Sequence, residues 1–419
     1  LLLILLALGV PVGFALAASG SIGLWAVGGF EVMLGILQTA PLTVVSGYEL
    51  ITIPMFLLMA QFVLLSGVAD DLFRVASAWV GKLPGGLGMA TALSGAVFGA
   101  ICGSSTAAAA TLSATSLTAM LRQGYKPRMA AGVVAISGTL AMLIPPSVAL
   151  VLYGLLAEVN IGKLLVGGIV PGIVVTMAIM LTTMFLALRD PAAAPRSNST
   201  PLREKLGMLR FVGPMLFLFV VVTGAIYTGV ATPTEASAFG AFGALVLAAY
   251  KRKINRRTLL RSAILAAQGS CMIGLILIGA SLFGYFLTFT QVTTNLINWV
   301  GVLPMPSWVV MATLLLGYII LGAFMDQIAI LVLTVPVAVP LVISLGYDPL
   351  WFGVIMIVTG EVGLVTPPVG LNCFVVARYA GWPVEEVFHG VLPHVVAHLI
   401  VIILFLALPG IILWLPGRM

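Results

Sequence analysis

The chain has 419 residues, of which 61% are hydrophobic and 8% are charged, and its mean hydropathy is +1.21. Ordinary soluble domains carry about 25% charged residues, so this composition excludes that class and predicts an integral membrane protein. The 19 Lys and Arg exceed the 13 Asp and Glu, but no basic patch is interleaved with aromatic residues, so nucleic-acid binding is not indicated. Apolar segments of about 20 residues without strand-like alternation predict an all-α polytopic protein.

The first third of the chain contains a predicted span, an interfacial helix and a broken apolar run. Leu1–Gly29 is long and apolar enough to span the bilayer as a helix. Asp70–Lys82 mixes charged residues with apolar and aromatic ones, which predicts an amphipathic helix along the interface. Gly86–Met120 is interrupted by small polar residues at 103–106. We interpret it as a re-entrant helical hairpin, whose non-helical tip must lie against protein or a water-filled cavity.

The rest of the chain is predicted to contain two broken helices, a second hairpin and four further spans. Arg128–Ala157 contains a Pro-Pro pair and predicts a broken transmembrane helix. A second hairpin is predicted at Trp308–Ser344, interrupted near Gly322–Asp326, and a second broken helix follows it. Lys251–Gln268 is expected to lead up to this second half as an arm like that at 70–82. The intervening spans are predicted at Leu164–Leu188, Phe211–Tyr227, Glu235–Tyr250 and Ser262–Thr290.

Residues 124–171 recur at 346–393, shifted by 222 positions without a gap. The identities are turn and helix-breaking residues rather than aliphatic ones, which would match by chance. Paired interruptions in two halves are the best sequence pointer to a transporter's binding site. The matching residues are Gly124, Tyr125, Pro127, Gly138, Pro145, Pro146, Gly168 and Pro171 in the first copy, and Gly346, Tyr347, Pro349, Gly360, Pro367, Pro368, Gly390 and Pro393 in the second.

Loop charges predict the orientation of the two copies. Arg189–Arg210 and Lys251–Arg261 are the most basic loops and should be cytoplasmic. Counting spans from them places the first Gly-Tyr-x-Pro turn, near Lys126, in the cytoplasm and the second, near Asp348, outside. We therefore predict repeats of inverted topology, each with a re-entrant hairpin and a broken helix.

The two interruptions collect hydroxyl, carbonyl and carboxylate oxygens, which are hard donors suited to an alkali cation. Any single Ser or Thr is more simply explained by a bond to its own helix backbone. Glu361 is either functional or holds the broken helix in place through an ion pair or a hydrogen bond. Glu235 is interpreted as a helix-capping carboxylate. The three histidines of 389–398 are not expected to bind a metal, nor the three dispersed cysteines to form disulfides.

Several motifs resemble the large membrane subunit (M subunit, DctM-like) of tripartite ATP-independent periplasmic (TRAP) transporters, within the ion transporter superfamily. The resemblance covers essentially the whole chain. It rests on Ile-Pro-Met-Phe at 53–56, Gly-Ala-Ile-Cys-Gly-Ser-Ser at 99–105, Thr-Pro-Thr-Glu-Ala at 232–236 and Gly-Glu-Val-Gly-Leu-Val-Thr-Pro-Pro-Val-Gly at 360–370. The last of these is the most specific.

The resemblance implies a secondary active transporter, not an enzyme, that imports a small organic acid, such as a carboxylate, with sodium by an elevator mechanism. It implies no cofactor beyond Na⁺ as the coupling ion. The partners that it implies are a small four-helix membrane subunit and a periplasmic substrate-binding protein, in the bacterial inner membrane. Scaffold helices and an interfacial arm are expected at 1–85, transport repeats at 86–163 and 308–389, and further scaffold with a second arm at 164–307 and 390–419.

The resemblance also implies three groups of binding residues. The first sodium site would comprise Gly103, Ser104, Ser105, Ser137, Gly138 and Thr139. The second would comprise Gly322, Met325, Asp326, Thr359, Gly360 and Gly363. The substrate would lie near Ser105, Pro145, Pro146, Ser147, Thr366, Pro367, Pro368 and Asn372.

Two alternatives remain open at this stage. A stand-alone sodium-coupled carrier of dicarboxylates or similar anions would have the same fold without a binding protein. A membrane-embedded enzyme or a channel is less well supported, because the sequence has no His-Glu-x-x-His or Gly-x-Ser-x-Gly motif. A channel would not need two opposed broken hairpins.

Overall fold

The computed structural model describes residues 1–197 and 200–419, and its regular structure in these ranges is helical. This confirms the prediction of an all-α polytopic protein. Eight helices in the described ranges are long and apolar enough to cross a membrane: Val12–Val45, Tyr48–Ser66, Ile161–Arg189, Leu202–Tyr227, Arg256–Phe289, Ser307–Phe324, Gln327–Ser344 and Val384–Ala407.

The N-terminal part contains α1 (Leu2–Ala7), α2 (Val12–Val45), α3 (Thr52–Ser66) and α4 (Val68–Val80). The single span predicted at 1–29 was wrong at both ends. Gly9 (φ 78°) and the helix-capping Pro11 separate α1 from α2, since a residue before proline avoids the helical conformation. Gly29 (φ 84°) only interrupts α2, which continues to Val45. The amphipathic helix predicted at 70–82 is confirmed as α4.

The first repeat begins with a hairpin whose arms meet between Cys102 and Ser105, as the sequence predicts. Its broken helix is interrupted between Thr139 and Val148 by a 3₁₀ turn and the Pro-Pro pair. The helices are α5 (Gly86–Cys102), α6 (Ser105–Leu112), α7 (Thr118–Arg122), α8 (Pro127–Thr139), α9 (Val148–Ala157), α10 (Ile161–Gly167) and α11 (Ile169–Arg189), with a π-helical turn at Ser113–Leu117.

The middle of the chain contains α12 (Leu202–Tyr227), α13 (Pro233–Tyr250) and α14 (Arg256–Phe289). Two basic segments predicted as loops are therefore partly helical. Arg203, Lys205 and Arg210 lie on α12, because basic side chains at the membrane surface do not require irregular backbone. Likewise, Asn255 forms a capping box with Thr258 and starts α14 inside the second basic segment.

The second repeat contains α15 (Val292–Val302), α16 (Ser307–Phe324), α17 (Gln327–Ser344), α18 (Pro349–Gly363), α19 (Leu371–Ala380), α20 (Val384–Ala407) and the short α21 (Gly410–Leu413). The shift of 222 positions maps the ends of α4, α7 and α11 onto or near those of α15, α17 and α20. The repeat thus extends well beyond the 48 residues in which identities reveal it.

No separate arm lies at 251–268, where the sequence suggested one. Those residues enter α14, a single helix of 34 residues that continues to Phe289. The counterpart of α4 is instead α15, directly before the second hairpin. Charged residues identified α4, and α15 has none, so charge patterning could not find it.

The two Gly-Tyr-x-Pro turns lie on opposite sides of the membrane. The helix order gives five crossings between them if the broken helix α8/α9, the pair α10/α11, and α12, α13 and α14 each cross once. A hairpin leaves and returns on one side and adds no crossing. An odd number of crossings inverts the second copy relative to the first, in agreement with the loop charges.

Packing divides the helices into two groups. One is built on α14, which packs along α2 and α3, with α13 against α3. Gly13, Gly20 and Gly279 bring α2 and α14 close, since a Cβ at Gly20 would lie 2.7 Å from the backbone of Leu282. The other group contains both hairpins and both broken helices, together with α11 and α20.

The sequence-based division assigned α11, and α20 from residue 390 onward, to the scaffold, and both helices pack on the transport repeats. Helix α11 packs on α5 and α20, and α20 packs along α8. At the α8–α20 crossing, Gly132 lies directly against the backbone of Gly390, with no room for a side chain on either. Arg128 also forms a two-pronged ion pair with Glu386 beside this crossing. Which parts move and which stay fixed remains a prediction.

Candidate cation and substrate site

The first hairpin tip lies against the first broken helix. Gly103 ends α5 in the left-handed conformation (φ 62°), and a Cβ there would come within 3.0 Å of Val148 at the start of α9. Ser104 caps α6, since its Oγ accepts a hydrogen bond from Ala107 N at 3.4 Å, and it lies 3.3 Å from Thr106 Oγ1. Ser105 is buried at the first position of α6. The tip therefore presents its polar groups next to the break.

The three predicted ligands on α8 have different surroundings. Ser137 is fully buried, and its Oγ has no hydrogen-bond partner in the described residues. A Cβ on Gly138 would lie 2.8 Å from the Ala109 side chain, so glycine allows α6 and α8 to meet. Thr139 donates to Ile136 O at 2.8 Å. Among these hydroxyls, only that of Ser137 is not engaged with its own helix.

The first Pro-Pro break leads directly into α9. Pro145 and Pro146 are joined by a cis peptide bond. Ser147 then caps α9, since its Oγ accepts from Leu150 N at 3.3 Å and donates to Met142 O. These bonds tie the hydroxyl to the backbone on both sides of the break. They account for Ser147 structurally, whether or not it also contacts a substrate.

The second hairpin tip is hydrogen-bonded to the second break. Asp326 caps α17 by accepting from Ala329 N at 2.9 Å. Val369 N and Gly370 N both point at Ala323 O, at 3.1 and 3.4 Å. The tip and the break, linked by backbone bonds, therefore form one local unit.

Glycines make the contact between the arm α16 and α18. A Cβ on Gly322 would lie 2.8 Å from both Gly360 O and the Cα of Gly363. All three glycines were predicted as ligands of the second sodium site. Their close packing is sufficient reason for glycine at each position, and it leaves their carbonyl oxygens as the groups that could face an ion.

Gln327 is a candidate ligand that the sequence analysis missed. Its side chain is fully buried at the first position of α17, and neither Oε1 nor Nε2 has a hydrogen-bond partner in the described parts of the chain. The amide lies directly against Gly360, where even a Cβ would collide with it. The 222-position shift matches Gln327 with Ser105, a predicted ligand in the first copy. Gln327 could have been found from the sequence by applying the 222-position shift also to pairs of residues that are not identical.

The remaining polar residues of the second break are buried or bonded to backbone. Thr359 donates to Ile355 O at 2.7 Å and Thr366 to Val362 O at 2.6 Å, so the oxygen of each remains a possible acceptor or ligand. Asn372 is fully buried and donates from Nδ2 to Ala135 O at 3.4 Å, which connects the second break to α8 of the first repeat. Its Oδ1 has no partner in the part of the chain that is described.

Glu361 lies on α18 directly after Gly360 and is fully buried. Both of its carboxyl oxygens are without a hydrogen-bond partner, and it belongs to none of the ion pairs seen among the described residues. The ion-pair explanation that the sequence left open therefore finds no partner here. Since an ionisable residue inside a membrane protein is by default a candidate functional residue, Glu361 is one here.

The two halves of the site interlock. Helix α19, after the second break, packs on α6 and α8 of the first repeat, and α17 of the second hairpin packs on α9. Each hairpin therefore touches the far half of the opposite broken helix. Ser137, Gln327 and Asn372, whose oxygens have no partner among the described residues, belong to these interlocked elements, and Glu361 lies on α18 just before the second break. Such hard donors fit an alkali cation better than a thiophilic metal.

Comparisons with known proteins decide the family. A family model described as the tripartite ATP-independent periplasmic transporter, DctM component, matches residues 1–411. This chain belongs to the DctM family. It is therefore a permease component of a transporter rather than a member of an enzyme family, as the motifs at 99–105 and 360–370 predicted.

Individual DctM relatives match along nearly the whole chain. The C4-dicarboxylate TRAP transporter large permease protein DctM of Pseudomonas aeruginosa is 35% identical over 88% of this chain and 86% of that protein. The isethionate TRAP transporter permease protein DctMQ of Oleidesulfovibrio alaskensis is 30% identical over 98% of this chain and 65% of that longer protein.

A solved transporter has a similar fold. The structure of Alcanivorax borkumensis YdaH covers 90% of this chain and 89% of that chain, with a TM-score of 0.64 at 16% sequence identity. The fold of this DctM chain is thus one found among membrane transporters.

Proposed function

We propose that this chain is the sodium-coupled permease of a tripartite importer for a small organic anion. The observation that carries the proposal is a pair of buried oxygens, on Ser137 of α8 in one repeat and on Gln327 of α17 in the other, that have no partner among the described residues. Buried polar groups are normally hydrogen-bonded, so a ligand that completes them is favoured.

A sodium ion suits these positions because the available donors are oxygens. Broken helices add carbonyl groups at their C-terminal ends, and such groups coordinate Na⁺ in transporters built from inverted repeats. The first site would use Ser137 with the tip at 103–105. The second would use Asp326, Thr359 and the carbonyl of Gly360, and we add Gln327 to it.

The substrate would lie between the two sites, near the Pro-Pro breaks and Asn372. The N-terminal ends of α9 and α19 carry the positive end of the helix dipole, which favours an anion. Relatives are named for a C4-dicarboxylate and for isethionate. The shared chemistry is a small anionic acid, and a sulfonate would serve as well as a carboxylate.

The partners follow from the family. A periplasmic binding protein would deliver the anion to the outward side, and a small membrane subunit would complete the complex in the bacterial inner membrane. The group that contains the hairpins, broken helices, α11 and α20 would move as the elevator against α2, α3, α13 and α14.

Uptake by the reconstituted complex tests the proposal. Proteoliposomes with the small subunit and the binding protein should accumulate radiolabelled succinate or isethionate only when external Na⁺ is present. Ser137→Ala should raise the sodium concentration for half-maximal uptake by about ten-fold. Ser116→Ala is the matched control, because this buried hydroxyl donates to Leu112 O at 2.7 Å within its own helix.

Equal uptake in potassium and sodium would refute the coupling. An unchanged sodium requirement in Ser137→Ala would refute the assignment of the first site. Uptake that proceeds without the binding protein would instead identify a stand-alone anion carrier.

A further inference from the structure

A polar pocket lies outside the transport site, where α4, α12 and α13 meet at the membrane surface. Its volume is about 540 Å³, and its lining includes Asp71, Arg210, Phe211, Pro214, Tyr250 and Lys251. The basic segments around it place it on the cytoplasmic side. None of these residues belongs to the hairpins or the broken helices.

The pocket carries one uncompensated positive charge. Lys251 forms an ion pair with Asp71, and both side chains are only 19% exposed, so these two charges neutralise each other. Arg210 is exposed and takes part in none of the ion pairs observed in the described ranges. Its guanidinium lies 4.8 Å from the Phe211 ring, which orients it without neutralising it.

More cations surround the pocket. Lys205, one turn and a half before Arg210 on α12, lies over the ring of Trp79 on α4, 5.9 Å from its centroid. Arg252 and Lys253 follow the paired Lys251 directly. Clusters of four to eight Lys and Arg next to a membrane span attract anionic lipid headgroups.

The charged residues of α12 all lie in its first nine residues, among exposed leucines such as Leu206, and none follows Arg210. The cations at 203–210 come first, Phe211 and the 80%-exposed Tyr250 lie beside them, and Phe217 and Val220 further along are 71% and 63% exposed. This order matches an amphiphile, with its phosphate at the charged end and its acyl chains along the apolar face. A soluble phosphate would use only the first part of this surface.

We propose that this pocket binds the headgroup of an anionic phospholipid of the cytoplasmic leaflet, with Arg210 as the principal phosphate contact. The acyl chains lie along the exposed face of α12. Because α4 packs on α5, the lipid braces the arm helix next to the first hairpin. The assignment depends on the cytoplasmic orientation of the basic segments and is independent of sodium coupling.

Native mass spectrometry of the detergent-purified complex tests this site. Wild type titrated with phosphatidylglycerol should retain more lipid than with phosphatidylcholine of the same acyl chains. Arg210→Gln should weaken phosphatidylglycerol binding about five-fold and leave phosphatidylcholine unchanged, whereas Arg210→Lys should keep most of the preference. Arg418→Gln is the matched control, because Arg418 also stacks on an aromatic ring, Trp414, at 4.8 Å but lies outside the pocket.

Four results would overturn the proposal. The wild type could show no headgroup preference, or Arg418→Gln could lose as much as Arg210→Gln. Competition by millimolar glycerol 3-phosphate would show a site for soluble anions. Loss of the small subunit from Arg210→Gln, with lipid binding unchanged, would show that the surface is a protein interface.

Discussion

Replacing Gln327 with Met should raise the stability of the sodium-free protein and weaken its response to sodium. Met has a similar length and no branch, so it fits the space against Gly360. The wild-type amide is fully buried without a partner among the described residues, which costs about 1–3 kcal/mol in proteins. Removing that cost stabilises the empty protein by a similar amount.

In sodium the same substitution removes a ligand. A polar group facing a full charge contributes about 1.5–3 kcal/mol, so sodium affinity should fall more than about ten-fold. A ligand that binds only the folded protein stabilises it according to its concentration over its Kd, so the melting temperature reports this change directly. Gln327→Met should melt higher than wild type without sodium and gain less when sodium is added.

The assay is thermal unfolding of the detergent-purified protein over a sodium titration, with choline replacing sodium to hold ionic strength constant. Ser116→Ala serves as control and should keep the wild-type sodium response. A Gln327→Met protein that is destabilised without sodium, with an unaltered sodium-dependent increment, would refute the role assigned to this side chain.

Three further outcomes are expected. Gly360→Ala should cut sodium-dependent uptake at least about ten-fold, because its Cβ collides with the Gln327 amide, whereas Gly317→Ala, with nothing within 4 Å, should transport normally; equal activities would contradict the packing argument. Asn372→Leu should raise the KM for the organic anion about ten-fold, with sodium stabilisation kept, since Leu150 occupies the equivalent position; a lost sodium response would move Asn372 to the ion site. The pKa of Asp190 is lowered because Lys126 Nζ donates a hydrogen bond to it at 2.5 Å, so this contribution to stability is present above the ordinary value of 3.8 and is lost as pH falls through the lower folded value. The difference in melting temperature between wild type and Asp190→Asn should therefore disappear in acid, and a difference that persists there would contradict the assignment.

The interruptions of the helices were predictable because the residues that cause them are distinctive. Two Pro-Pro pairs at matching positions allow little but a break, and Ser104 and Asp326 are favoured residues for starting the helices that follow. Both cap their helices in the structure. Helix interruptions and helix starts depend on the local preferences of a few neighbouring residues, which can be read from a single sequence.

Features that depend on packing were not predictable in the same way. The attachment of α20 to α8 results from a contact between glycines in different repeats, and an apolar helix looks the same in either group. Gln327 was missed because a glutamine next to an aspartate suggests a helix start rather than a buried, unpartnered amide. Its complete burial and its contact with Gly360 distinguish it from an ordinary helix-starting glutamine, and both are visible only in the structure.

The crossing of α8 and α20 limits how the molecule can deform. Where side chains separate two helices, changes of rotamer allow the helices to slide past each other by small amounts. At Gly132 and Gly390 no side chains separate the helices, and the backbone of one repeat contacts the backbone of the other directly. This backbone contact couples the two repeats, so we expect α8 and α20 to keep their relative position in any movement of the repeats.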